Sequence, residues 1–163
     1  MLKKFVDVKF GGKVPEHLAR FYVMQLVVAV GHLHKSLIIH RDLHMSNLMV
    51  DEQGSIKIID FAMAEKLDSE SSEVKVDGCK NNHKPYLAPE IIKREQGFTM
   101  ASDWWAIGVI AYELLMGTKP FKDKKNIAKD RVIFPNAVKI PHSDSFRDLV
   151  NKLLEKRPMF RLG

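Results

Sequence analysis

The chain has a single cysteine, Cys79, so no disulfide forms within it. A lone thiol suits a reducing compartment, and a cytoplasmic location with access to the nucleus is expected. Long apolar runs are missing too. The two strongest, 21–30 and 104–115, are interrupted by Gln25 and Glu113 and fall short of the roughly 20 residues that span a bilayer. They read as buried helices, and no membrane span is expected. The opening Met1-Leu2-Lys3-Lys4-Phe5 runs into alternating charge, not into the apolar stretch of a signal peptide. Charge of one sign is not concentrated either. With 26 Lys and Arg against 20 Asp and Glu the net charge is +6, spread along the chain apart from Lys122, Lys124 and Lys125. Such a distribution provides no nucleic-acid groove, and no nucleic-acid partner is expected. Internal repeats and coiled-coil heptads are absent.

What remains is a chain of 163 residues, 45% hydrophobic and 28% charged, long enough for one sizeable core and too short for two. Pro15-Glu16-His17 opens a helix, with proline in the first turn and an acid near the positive end of the dipole. Apolar residues then recur from Leu18 to Leu33 at helical spacing. The stretches 48–51 and 55–59, joined by Glu52-Gln53-Gly54, predict a β-hairpin. Residues 64–84 read as a polar loop of the length associated with function or disorder. A short helix follows Ala88-Pro89-Glu90. Ser102-Asp103 is expected to cap an apolar helix running to about Met116 and closed by Gly117. Two further helical pieces are expected near 123–130 and 144–155.

The chemistry concentrates in His40-Arg41-Asp42-Leu43-His44-Met45-Ser46-Asn47 and in Asp60-Phe61-Ala62. An acid, an amide five positions on, and a second acid eighteen positions on stand in order. Phosphoryl transfer needs such a set: one carboxylate to orient a hydroxyl nucleophile, and a carboxylate with an amide to hold magnesium on the phosphates. The predicted hairpin brings Asn47 and Asp60 to adjacent strand ends.

These motifs resemble the catalytic loop and metal-binding motif of protein kinases. Ala88-Pro89-Glu90, residues 102–109, Tyr112-Glu113-Leu114-Leu115, Lys119-Pro120-Phe121 and the terminal Arg157-Pro158-Met159-Phe160-Arg161-Leu162-Gly163 resemble the AGC group of Ser/Thr kinases, that of the cyclic-AMP-dependent kinase. The resemblance covers nearly the whole chain. It implies a mainly α fold with small β-hairpins, the large carboxy-terminal lobe of a kinase, binding ATP and Mg2+. Asp42 would accept the substrate hydroxyl's proton, Asn47 and Asp60 would hold magnesium, and Met49 would floor the adenine pocket. Phe61 would pack against His40, Arg41 would contact a phosphorylated activation segment, and Asp103 would bond the catalytic-loop backbone. Glu90 would pair with Arg161. Glu113 resembles an acid that receives a substrate arginine, which points to basic protein substrates.

The chain also departs from the pattern. No G-x-G-x-x-G loop precedes the lobe, no V-A-I-K lysine is present, and the last helix and tail of the group are missing, so the small lobe is expected to be absent. His44 stands where a lysine contacts the transferred phosphate, and an imidazole supplies less positive charge than an ammonium. Ala62 replaces a glycine, limiting backbone freedom. His83 replaces a threonine that bonds the catalytic aspartate, Ser46 replaces an acid, and Cys79 falls near the usual phosphothreonine. Ser69, Ser71 and Ser72 are candidate substitutes for that switch.

Plainer readings stand beside these. His40 and His44 at i, i+4 are a weak zinc pair without a third ligand. His17, His32, His34 and His142 read as surface or boundary residues, Trp104 and Trp105 as core, and 69–73 as a solvated loop. Two functions remain open: a Ser/Thr kinase lobe that needs completion by a small lobe, or an inactive pseudokinase lobe acting as a scaffold. In either case the face around Met49 and Phe61 is apolar and would take a protein partner. Alone, the 163 residues are expected to turn over negligible ATP.

Overall fold

A computed structural model of the protein describes residues 1–76, 84–121, 124–135 and 142–163. Among these the fold is mainly helical, with two small two-stranded sheets. Helix α4 (Met100–Met116) is its axis: Trp105, Ile107, Ile110 and Leu114 are all fully buried. Helix α2 (Glu16–Lys35) and helix α6 (Asp144–Leu153) pack against it. On α2 the buried residues Ala19, Tyr22, Val23, Leu26, Val30 and His34 return to one side turn after turn, the spacing of one helical face.

Helix α4 begins earlier than the sequence predicts. Thr99 is its N-cap, and the Ser102 side chain returns to the Thr99 amide at 3.2 Å, so Ser102 is the far half of a capping box. Gly117, at φ 74°, ends the helix with its amide on the Glu113 carbonyl at 2.8 Å. The carboxy-terminal helix α6 starts at Ser143, whose hydroxyl accepts from the Phe146 amide at 3.2 Å. Helix α3 (Pro89–Lys93) and helix α5 (Lys124–Lys129) complete the set with helix α1 (Leu2–Phe10). Lys3, Lys4, Asp7 and Lys9 break the apolar pattern of α1, which hides it in the sequence. Leu2 and Val6 are nevertheless fully buried one turn apart, and Gly11 closes the helix in a left-handed conformation at φ 66°.

The hairpin pairs strand β2 (Leu48–Val50) with strand β3 (Ile56–Ile58), Leu48 opposite Ile58 and Val50 opposite Ile56. A second antiparallel pair joins strand β1 (Ile38–Ile39) to strand β4 (Glu65–Lys66), with Ile39 opposite Glu65. The sequence shows no strand pattern at Glu65. Its place follows from the Leu67 amide, which bonds the Leu37 carbonyl at 2.7 Å and draws this segment against β1. Among the described residues no helix is long and apolar enough to cross a membrane.

Candidate active site

The loop after β1 is anchored by one buried carboxylate. Asp103, in the first turn of α4, accepts from the His40 amide at 2.9 Å and the Arg41 amide at 3.0 Å, and from His34 Nε2 at 2.9 Å. Those bonds hold Arg41 at φ 67°, a left-handed conformation that costs a non-glycine residue about 1–3 kcal/mol and persists where surrounding contacts over-determine it. His34, read as a surface residue, is buried on Asp103 and lies edge-on to Trp104 at 5.4 Å. The signal was present, because His34 continues the α2 core face four residues beyond Val30.

His40 is wholly buried. Its Nε2–H donates to the Ile59 carbonyl at 3.2 Å, its Nδ1 faces the Asp42 amide at 3.4 Å, and the Phe61 ring stands edge-on at 4.9 Å. This is the bonding of a neutral imidazole. Burial lowers its pKa below the ordinary histidine value, against the opposing pull of Asp103, the Ile59 carbonyl, Asp42 and Asp60.

Asp42 and Asn47 meet directly. A 3-10 turn at Met45–Asn47 folds the loop back, and Asn47 Nδ2 donates to the Asp42 carbonyl at 3.0 Å and to Asp42 Oδ2 at 3.3 Å. With its nitrogen engaged, the Asn47 amide oxygen is the atom left for a further ligand. The buried His44 flanks the pair. Its Nδ1 accepts from the Ser46 amide at 3.2 Å, which puts the ring proton on Nε2, 3.6 Å from Asp42 Oδ2. Asp60 arrives from the other strand: the Ile59 amide bonds the Asn47 carbonyl at 2.9 Å, placing Asp60 one residue past that link. Asp60 is exposed, sits at φ 62°, and accepts from the Ala62 amide at 3.3 Å. Met49 and Phe61 are 44% and 46% exposed, so the apolar patch expected from the sequence is open to solvent.

The supporting residues fall elsewhere in the lobe. Arg161 forks onto Glu90 at 2.7 and 2.9 Å and also bonds the Ala101 and Glu155 carbonyls at 2.7 and 2.9 Å. Arg41 Nη1 lies 3.4 Å from Glu65 Oε2, and its guanidinium sits over the Phe98 ring at 5.2 Å. Glu113 is buried and accepts the Tyr86 hydroxyl. Burial and the Glu113 carboxylate together push the Tyr86 phenol up. Nothing local in the sequence marks Glu65 or Tyr86, whose contacts span 24 and 27 positions. Cys79 and His83 lie outside the described residues.

A magnesium site needs oxygen donors, and the Asn47 amide oxygen and the Asp60 carboxylate fit that chemistry. Among the described residues no three His, Cys, Asp or Glu side chains cluster around a metal. The pair Asn47 and Asp60 suits a cation that takes its other ligands from phosphate and water, as magnesium does.

The lobe, its anchored loop and the Asp42–Asn47 contact define a class, and the chain belongs to it: it is a member of the protein kinase domain family, whose model matches residues 2–163. Within that family it is similar to Ser/Thr kinases of the AGC type. It is 34% identical to serine/threonine-protein kinase AtPK2/AtPK19 of Arabidopsis thaliana, over 98% of this chain and 33% of that protein. It is 34% identical to serine/threonine-protein kinase SCH9 of Candida albicans, over 98% of this chain and 20% of that protein. With human ribosomal protein S6 kinase alpha-3 the identity is 35%, over 91% of this chain and 20% of that protein. The chain thus spans a third or less of these relatives.

Proposed function

We propose that these residues form the large lobe of a serine/threonine kinase, which transfers the γ-phosphate of ATP to protein hydroxyls when a small lobe completes the nucleotide site. The observation that carries this reading is the Asn47 side chain bonded to Asp42, with Asp60 following directly on the Ile59 amide that bonds the Asn47 carbonyl. Asp42 accepts the proton of the attacking hydroxyl, and Asn47 and Asp60 hold magnesium. Magnesium, when bound with ATP, neutralises charge on the phosphates. The exposed Met49 side chain floors the adenine, and Phe61 secures the Asp60 turn against His40. The relatives' names support Ser/Thr substrates, and basic ones are proposed from Glu113.

A second reading is favoured by His44. Its ring is turned onto Asp42 and offers no lysine ammonium to the transferred phosphate, which would suit a pseudokinase lobe whose Met49–Phe61 face receives a protein partner. Phosphate transfer to a basic serine peptide by this lobe, joined to the small lobe of an AGC-type relative, separates the two. Magnesium-dependent incorporation that disappears in Asp42→Asn supports the enzyme. Incorporation no greater than that of Asp42→Asn, from a chimera that still binds ATP, supports the scaffold.

A further inference from the structure

Arg41 precedes the proposed proton acceptor, Asp42, and its side chain is only 8% exposed. A guanidinium does not lose its proton in a protein, so a buried one needs an anion. Asp103 does not meet this need, because it is bonded to the Arg41 backbone amide. Among the described residues the one carboxylate paired with the guanidinium is that of Glu65, at 3.4 Å, while the Phe98 ring covers a face at 5.2 Å. Backbone pairing brings Glu65 there: its register partner is Ile39, two residues before Arg41.

We propose that Glu65 is a positioning residue, whose carboxylate is the built-in counter-charge of Arg41 and holds the Asp42 loop without a phosphate. The proposal deepens the kinase reading by assigning regulation to the same loop, yet the contact itself does not depend on catalysis. A phosphate brought to Arg41 meets the Glu65 carboxylate already there, and the two like charges repel. Cys79, read at the place of a phosphothreonine, also lacks a hydroxyl to phosphorylate. Asp103 thus holds the loop backbone, and Glu65 holds the Arg41 side chain without a phosphate.

The test uses amide hydrogen exchange of residues 40–43 in the 163-residue protein, so its outcome is independent of ATP turnover. In Glu65→Gln, exchange at these amides is expected to rise about two- to fivefold, the size of effect of a partly exposed ion pair. Thermal stability should hold, because Glu65 is half exposed. Inorganic phosphate at millimolar concentration should then restore protection in Glu65→Gln, and more strongly in Glu65→Lys, while leaving the wild-type loop unchanged. The proposal is overturned if Glu65→Gln leaves exchange unaltered, or if phosphate tightens the wild-type loop as much as the variant's. Loosening that phosphate does not reverse also overturns it, because the lost contribution would then not be charge.

Discussion

Arg161 grips Glu90 with two parallel hydrogen bonds, at 2.7 and 2.9 Å, across 71 positions of sequence. Both side chains are buried, at 0% and 4% exposure, and the guanidinium also stands 5.1 Å from the Trp105 ring. The pair fastens the end of the chain to the start of α3. Desolvating both ions makes the net contribution of such a pair modest, but removing one partner strands a buried charge.

Glu90→Ala is therefore expected to destabilise the lobe by about 3–5 kcal/mol, measured by chemical denaturation. A loss below about 1 kcal/mol would mean that the pair behaves as a solvated surface contact.

Asp103→Ala removes the shared acceptor of the His40 and Arg41 amides. Each buried amide left unsatisfied costs about 1–3 kcal/mol. The expected result is loss of exchange protection at His40 and Arg41 together, with the hairpin β2–β3 still protected. Unchanged protection at both amides would place their anchor elsewhere.

Two glycines on helices should respond oppositely to alanine. A Cβ at Gly108 would lie 2.8 Å from Leu154 Cδ2 and 2.9 Å from Leu153 Cβ, where α4 meets the end of α6, whereas one at Gly31 meets nothing within 4 Å. Gly108→Ala should cost about 1–3 kcal/mol through overpacking. Gly31→Ala should stabilise by roughly 0.5–1 kcal/mol through reduced chain entropy. Thermal melts of the two variants, compared with the parent, give the signs directly.

Burial holds His40 neutral by lowering its pKa in the fold, and it lowers that of His142 likewise. The unfolded chain then binds more protons than the folded one at mildly acidic pH, so stability rises with pH in that range. The full contribution is present above about 6.5, the unfolded histidine value, and is lost as pH falls towards the depressed folded values. Melting temperatures at pH 7.5 and 5.5 should show the drop, and His40→Gln should reduce it. An equal drop in His40→Gln would assign the slope to other groups.

The contrast between what was legible and what was not follows contact range. Helix α2 and the β2–β3 hairpin announce themselves through periodicity and the Gly54 turn. The Asp42–Asn47 contact lies within five positions, close enough for the local motif to carry it. Helix α1 is hidden because only Leu2 and Val6 face the core while charges fill the rest. The start of α4 is hard to read because Ser102 favours an N-cap but serves here as the third helical residue under Thr99. Strand β4 has no intrinsic pattern at all. Pairing with β1 imposes it, and the Arg41–Glu65 contact appears only once that pairing is known. The Glu113–Tyr86 contact, made across 27 positions, is hidden from local pattern in the same way.

The central claim is that Asp42, Asn47 and Asp60 form the phosphoryl-transfer centre of a kinase lobe. Its most direct measurement is magnesium-dependent transfer from ATP to a serine peptide by the lobe completed with a relative's small lobe, with and without Asp42→Asn. The account predicts transfer that stops when magnesium is chelated and falls by about 10²–10⁴-fold in Asp42→Asn, the usual contribution of a positioned general base. Transfer that is undiminished in Asp42→Asn, or absent from a folded, ATP-binding chimera, would contradict it.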